Sequence, residues 1–177
     1  LHPGMKILDA GCGTGSVTRV LYDIARQQGY QEITFHGFDL TQAMLDMFRH
    51  WMNKEGVQDI QLRQANALDL ENQLPQSWTG YDLIVSAAML EYIPNEKLSQ
   101  VLSNLRSLLH NNGRLLVFAT KRTRITRWTA AKWWKTNLFD PEALEIELRS
   151  AGFTTIKEKR LPGSWDSYMM AIEAGGD

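Results

Sequence analysis

The chain has 177 residues, of which 44% are hydrophobic and 22% charged, enough to bury one sizeable core and with no compositional sign of disorder. A net charge of −1 argues against a general nucleic-acid binder, which would carry a broad basic surface. The lone Cys12 has no partner for an internal disulfide or a structural zinc site, no run of about 18 apolar residues could span a bilayer, and the start lacks the layout of a signal peptide, so a reducing, cytoplasmic setting without a metal centre is expected.

Strand and helix patterns alternate along the chain. Ile7-Leu8-Asp9-Ala10 reads as a strand running into the loop Gly11-Cys12-Gly13-Thr14-Gly15. Val17, Val20, Leu21, Ile24 and Ala25 then recur at helical spacing, and Gly29 supplies a stop. Residues 33–38 read as a buried strand ending at Asp39. The next helix starts near Thr41, takes Met44, Met47, Phe48, Trp51 and Met52 as its inner face, and ends by Gly56. Ile60, Leu62 and Gln64 alternate as a third strand, and residues 66–80, punctuated by Pro75 and Gly80, show no strong periodicity.

Residues 81–86 form a fourth strand of nearly continuous apolar character. Pro94-Asn95 caps a helix whose stripe is Leu98, Val101, Leu102, Leu105, Leu108 and Leu109, with Asn112-Gly113 as its stop. Residues 114–119 are a fifth strand. Residues 121–137, opening at Lys121 and closing at Asn137, break the rhythm by mixing cations with tryptophans. Asp140-Pro141 opens a helix with Leu144, Leu148 and Ala151 inward and Gly152 as its end. Residues 156–161 and 168–174 are two final strands joined through Pro162-Gly163.

This order predicts an α/β fold: a doubly wound, mostly parallel, seven-stranded sheet with helices on both faces and an antiparallel hairpin at one edge. No repeat or linker marks a second domain, so residues 1–177 are expected to form one. Ligands of such sheets bind beyond the carboxyl ends of the strands, where the glycine loop lies. Glycine admits positive φ and lacks the Cβ that would block close approach, so a nucleotide-like group could lie against this backbone; a simple strand-to-helix turn would also use some of these glycines. Asp39, at the end of the second strand, could accept hydrogen bonds from both hydroxyls of a ribose or could cap the helix that follows.

Several segments together carry a family likeness. ILDAGCGTG (7–15), GFDLTQAML (37–45), QANALDL (64–70), YDLIVSAAMLEYIP (81–94) and LLHNNGRLLVF (108–118) resemble the successive motifs of class I S-adenosylmethionine-dependent methyltransferases, in particular the branch acting on small quinone- or lipid-like acceptors. The resemblance implies a Rossmann-like methyltransferase fold and S-adenosyl-L-methionine as cofactor, with S-adenosyl-L-homocysteine as product. It implies that Asp9 and the backbone of Gly11, Cys12, Gly13 and Gly15 hold the methionine portion. Asp39 would hold the ribose, Leu40 and Met44 would pack on adenine, and Ser86 would lie below the methionine tail. Asn66 stands where the family usually has an aspartate that accepts from the adenine amino group; its amide oxygen can still accept, and the amide of Ala67 would serve a ring nitrogen. Met44 could equally be a core residue, Asn66 a turn former and Ser86 a packed strand end.

Because the sulfonium is already an activated donor, the protein mainly has to align the acceptor and exclude water. Glu91 and Tyr92, just beyond the fourth strand, are the catalytic candidates: a base or cation-holding acid, and an orienting or stacking ring. They could also be a solvated acid and a packed aromatic. The sequence Ser86-Ala87-Ala88-Met89 lacks the Pro-Pro pattern of enzymes acting on nucleobase amino groups, which disfavours DNA as acceptor. The Lys121 to Asn137 stretch, with Arg122, Arg124, Arg127, Lys132 and Lys135 among Trp128, Trp133 and Trp134, could cover the acceptor as a lid, bind an anionic head group or rest on a lipid surface, or could be a solvated helix with its tryptophans turned into the core. Only Leu1 to Met5 precede the first strand, where related enzymes commonly have lid helices, so the expectation is a domain without them, either because the sequence is trimmed or because their role passes to the Lys121 stretch or a neighbouring subunit. The alternative function is a regulatory or scaffold module of the same fold that binds the cofactor without turnover.

Overall fold

In the computed structural model, which describes residues 1–123 and 137–176, the strands are β1 (Lys6–Ala10), β2 (Thr34–Asp39), β3 (Ile60–Gln64), β4 (Tyr81–Ala87), β5 (Leu109–Thr120), β6 (Thr155–Lys159) and β7 (Met169–Gly175). The helices are α1 (Ser16–Gln27), α2 (Gln42–Glu55), a single turn α3 (Leu70–Gln73), α4 (Leu98–Ser107) and α5 (Pro141–Ser150). One seven-stranded sheet runs β3-β2-β1-β4-β5-β7-β6. β1 to β5 are parallel, and β7 lies antiparallel between β5 and β6. The edge hairpin is therefore present, with β6 outermost. The strand order reverses between β1 and β4, and that switch point is where such sheets open a crevice.

Period-2 alternation explains why β1 is apolar on both faces. Ile7 joins a core with Phe35, Leu45, Phe48 and Met52, whereas Leu8, one residue on, joins the opposite core with Ile84, Val101, Leu105 and Leu115. No helix among the described residues is long and apolar enough to cross a membrane.

Three elements depart from the sequence expectation. On α1, Thr18 and Ala25 are buried while Val20 and Ile24 are 57% and 41% exposed, because the sheet touches only a narrow line and a buried carboxylate draws Thr18 inward. On α2 the buried line is Leu45, Phe48 and Met52, leaving Met44 and Met47 exposed at 42% and 59%. The helix expected to run to Asn112-Gly113 stops at Ser107, and Leu109 already pairs with Tyr81 in the sheet.

That early strand start creates an irregularity. Tyr81 faces Leu109 but Leu83 faces Arg114, so the β5 backbone loops out between the two pairs. Gly113 sits where any Cβ would collide with the Tyr81 carbonyl oxygen, a rigid backbone atom. Gly113→Ala should therefore cost about 2 kcal/mol through displaced backbone. Urea denaturation monitored by circular dichroism would show the loss as a lower midpoint, and an unchanged midpoint would contradict the account.

Candidate active site

A cavity of about 460 Å³ lies beyond the carboxyl ends of the parallel strands at the switch point. Gly11 and Gly13 form its floor after β1, Phe38, Asp39, Leu40 and Thr41 its side at the end of β2, and Met44 reaches in from α2. Ala65, Asn66 and Ala67 follow β3 on one wall. Ala87 and Ala88 end β4 on the other, leading to Met89, Tyr92 and Ile93 on a 3-10 turn, Met89–Tyr92. Ala88 adopts φ 62, a left-handed conformation uncommon for alanine, and its amide is held by the Phe118 carbonyl at 2.9 Å.

The glycine loop is tightly bound to its surroundings. The amides of Gly11 and Cys12 both donate to the Phe38 carbonyl at 2.9 Å, which ties the loop to β2. A Cβ on Gly11 would meet the Met89 side chain and one on Gly15 would enter the Phe48 ring, and both residues have positive φ, so these two glycines are required by packing as well as by backbone conformation. Gly13 is different: it lines the cavity, and nothing among the described residues stands within 4 Å of where its Cβ would be.

Asp39 joins the two sides of the site. Its Oδ2 accepts from the Gly13 amide at 2.9 Å and its Oδ1 from the Thr41 amide at 2.8 Å, so one carboxylate fixes both the loop and the start of α2. Each oxygen keeps a further lone pair for a ligand. On the opposite wall, Asn66 Oδ1 accepts from the Leu68 amide at 3.0 Å, and the Asn66 amide donates to Gln73 Oε1 at 2.6 Å. Asn104 supports the same wall by donating to the Ala67 carbonyl at 3.0 Å.

Other residues singled out from sequence lie outside the cavity lining. Asp9 is 2% exposed, and its Oδ2 accepts from the Thr18 amide at 3.2 Å and the Thr18 hydroxyl at 2.6 Å. Since Gly15 at the cap position has no side chain, Asp9 satisfies this first-turn donor of α1 from the neighbouring strand. Burial pushes its carboxyl up to about 6, despite the opposing hydrogen bonds from Thr18. Cys12 packs against Gly37, and burial together with the Asp9 and Asp39 carboxylates raises its thiol well above the ordinary range, which keeps it from acting as a thiolate. Gly15 is packed on Phe48. Ser86 is fully buried, and its hydroxyl has no hydrogen-bond partner among the described residues.

The two catalytic candidates separate. Tyr92 stands at the cavity mouth, 65% exposed. Glu91 is 8% exposed and does not line the cavity; its Oε1 accepts from the Thr120 amide at 2.8 Å and the Thr120 hydroxyl at 2.7 Å. Of the stretch expected to cover the acceptor, residues 124–136, including Arg124, Arg127, Trp128, Lys132, Trp133, Trp134 and Lys135, lie outside the described residues.

Sequence reading missed Met89 and Ile93 on the wall and Arg19 behind the loop. The Arg19 guanidinium donates to the Thr14 carbonyl at 2.6 Å and stacks 4.5 Å from the centre of the Trp51 ring, clamping the loop to α2. Met89 and Ile93 fall inside a motif already quoted, but nothing in their spacing distinguishes a wall from core.

The cavity suits an adenosine-bearing ligand. It has a mostly apolar slot with Leu40, Met44 and Ala67, a braced carboxylate at one end, and a floor where a glycine leaves room for close approach. A family model described as "Methyltransferase domain" matches residues 1–158. The malonyl-[acyl-carrier protein] O-methyltransferase of Halalkalibacterium halodurans is 32% identical over 114 residues, covering 64% of this chain and 38% of that enzyme. The prosolanapyrone synthase of Alternaria solani is 32% identical over 130 residues, covering 70% of this chain and 5% of the synthase. This chain thus spans less than half the length of either relative. Among solved structures, the CMeT domain of the citrinin polyketide synthase superposes with a TM-score of 0.81 at 16% identity, covering 99% of this chain and 47% of that one. With the reversed strand order, the glycine loop and the cavity between them, the chain belongs to the class I S-adenosylmethionine-dependent methyltransferases.

Proposed function

We propose that the protein transfers a methyl group from S-adenosylmethionine to a small-molecule acceptor in a cytoplasmic setting. The observation that carries this reading is the switch-point cavity with the Asp39 carboxylate fixed at its edge by Gly13 and Thr41. Asp39 would hold the ribose hydroxyls, Leu40, Met44 and Ala67 the adenine, and Asn66 its amino edge. Gly11 and Gly13 would lie along the methionine portion, with Asp9 keeping the start of α1 in place beside it. When bound, the cofactor supplies a methyl group activated by the adjacent sulfonium.

The protein's own contribution is orientation. Asp39 and Tyr92 are the titratable side chains among the described residues that line the cavity. Tyr92, exposed on the cavity wall, would meet an acceptor and shield the reacting centre from water. Relatives named for malonyl carrier-protein and polyketide chemistry make acyl thioesters and other carboxyl or carbonyl compounds the first acceptors to try.

The test is incubation with S-adenosylmethionine labelled on the methyl group and a panel of acyl thioesters, free carboxylic acids and catechols. Transfer of label with release of S-adenosylhomocysteine is expected for at least one class. Tight binding of S-adenosylhomocysteine with no transfer across the panel would favour a cofactor-binding module instead.

A further inference from the structure

Glu91 is a buried carboxylate whose place in the fold is unexplained by cofactor binding. Its residue lies in the middle of the 3-10 turn that puts Met89 and Tyr92 on the cavity wall, yet its side chain reaches the end of β5, where Oε1 receives both the amide and the hydroxyl of Thr120. Its main chain is tied to a second segment: the Glu91 carbonyl accepts from the Asn137 amide at 2.8 Å, and the Asn137 side chain donates to the Ile93 carbonyl at 2.5 Å. Those two segments also hold each other. Phe139 donates to the Thr120 carbonyl at 3.1 Å, and Arg122 donates to the Phe139 carbonyl at 2.8 Å.

The turn therefore has two outputs. Inward, Met89 packs against Gly11 so closely that a Cβ there would overlap it, which couples the turn to the glycine loop. Outward, Glu91 grips the strips 120–123 and 137–139 beyond β5. Methyl acceptors must approach from outside the cofactor cavity, and these strips stand next to the wall on which Tyr92 meets the mouth.

We propose that Glu91 is a positioning residue that links the cofactor wall formed by Met89, Tyr92 and Ile93 to the paired strips 120–123 and 137–139, so that filling the cavity orders the acceptor side of the protein. The link rests on the methyltransferase reading above. A bond from a buried carboxylate to two donors on one residue is short and charge-assisted, which suits it to carry a displacement of the turn to β5 without slack. Replacing it by a side chain without an oxygen would cut the link from the turn to Thr120 and leave only the Asn137 bonds to the Glu91 and Ile93 carbonyls.

Hydrogen exchange read by mass spectrometry, with S-adenosylhomocysteine as the probe, tests this on the whole chain. In the wild type, saturation should slow exchange both in peptides covering residues 11–15 and Asp39 and, by about fivefold, in peptides covering 120–123 and 137–139. In Glu91→Ala the first set should still respond, the response at 120–123 should be lost, and that at 137–139, which keeps its bonds to the Glu91 and Ile93 carbonyls, should be weakened. Glu91→Gln, which keeps an acceptor oxygen at the same reach, should restore the response, whereas Glu91→Met, of similar volume but without that oxygen, should not; restoration by Met would mean that Glu91 only fills space. Thr120→Val, which removes one of the two bonds, should weaken the response and carries the comparison if Glu91→Ala does not fold. Strips that respond equally in wild type and variants, or not at all while residues 11–15 are protected, would overturn the coupling. Absence of protection around residues 11–15 and Asp39 in the wild type would overturn the cofactor reading and the proposal with it.

Discussion

Asp39→Ala is expected to weaken S-adenosylhomocysteine binding by about a hundredfold, roughly 2.7 kcal/mol. The loss has two sources. The first is direct: hydrogen bonds from ligand hydroxyls to a charged acceptor contribute about 1.5–3 kcal/mol when desolvated. The second is pre-organisation, since the same carboxylate holds the Gly13 amide at 2.9 Å and the Thr41 amide at 2.8 Å. Without it the loop and the start of α2 would each have to be ordered by the ligand. Asp39→Asn separates the two, because an amide can keep one of these bonds through its oxygen but presents an N–H donor to the other amide. It should fall between wild type and Asp39→Ala. Titration calorimetry gives the affinities, and thermal melting without ligand checks that all variants are folded. Full affinity in Asp39→Ala would remove Asp39 from the ligand site altogether.

The legibility of this site follows from which interactions are local. Gly11, Gly13 and Gly15 alternate in one loop, and Asp39 ends a strand whose partner is β1, so a reader of the sequence meets the floor and the edge of the cavity as short signals. Asp9 was legible as an acid but not as the substitute cap of α1, because its bond to Thr18 depends on Gly15 being unable to cap. Glu91 was legible only as an acid near the fourth strand. Its partner Thr120 is 29 residues away across the β4–β5 pair, a distance that spacing does not encode.

Helix faces failed for a related reason. Val20 and Ile24 match the apolar period of α1 as well as Leu21 and Ala25 do, and only the sheet decides which side is covered. Met44 leaves the expected core face of α2 because it borders the cavity. The stop expected at Asn112-Gly113 is a turn signal inside β5: residues that favour turns also favour the looped-out backbone opposite Tyr81.

A second large effect concerns pH, and it is hidden in the wild type by cancellation. His36 is buried, stacked 4.2 Å from the centre of Trp78, and its Nδ1 is 2.7 Å from the Tyr81 hydroxyl. Burial raises the Tyr81 phenol above its ordinary range, so the hydroxyl stays protonated beside the ring. Burial, with the nearby Lys6, pushes the His36 imidazole down to about 4 from 6.5. Between these values the unfolded chain binds the proton and the folded chain does not, so this group's stabilising contribution is complete above pH 6.5 and is lost as pH falls toward 4.

Asp9 works in the opposite direction. Its carboxyl is up at about 6 against 3.8 when unfolded, so between these values the folded chain holds the extra proton and stability is lost as pH rises. Across pH 4 to 6 the two slopes oppose, and wild-type stability should show little net change from this pair. Single variants break the cancellation. His36→Phe keeps a ring on Trp78 and leaves Asp9 alone, so its stability should fall from pH 4 to 6, by on the order of 2 kcal/mol. Asp9→Asn keeps an oxygen for Thr18 and leaves His36 alone, so its stability should rise across the same range by a similar amount, on the order of 2 kcal/mol. Urea denaturation at several pH values compares each variant with wild type, so that titrations shared by all three cancel. Difference curves of opposite slope are expected; flat difference curves for both variants would show that neither group carries its buried pKa into the folding equilibrium.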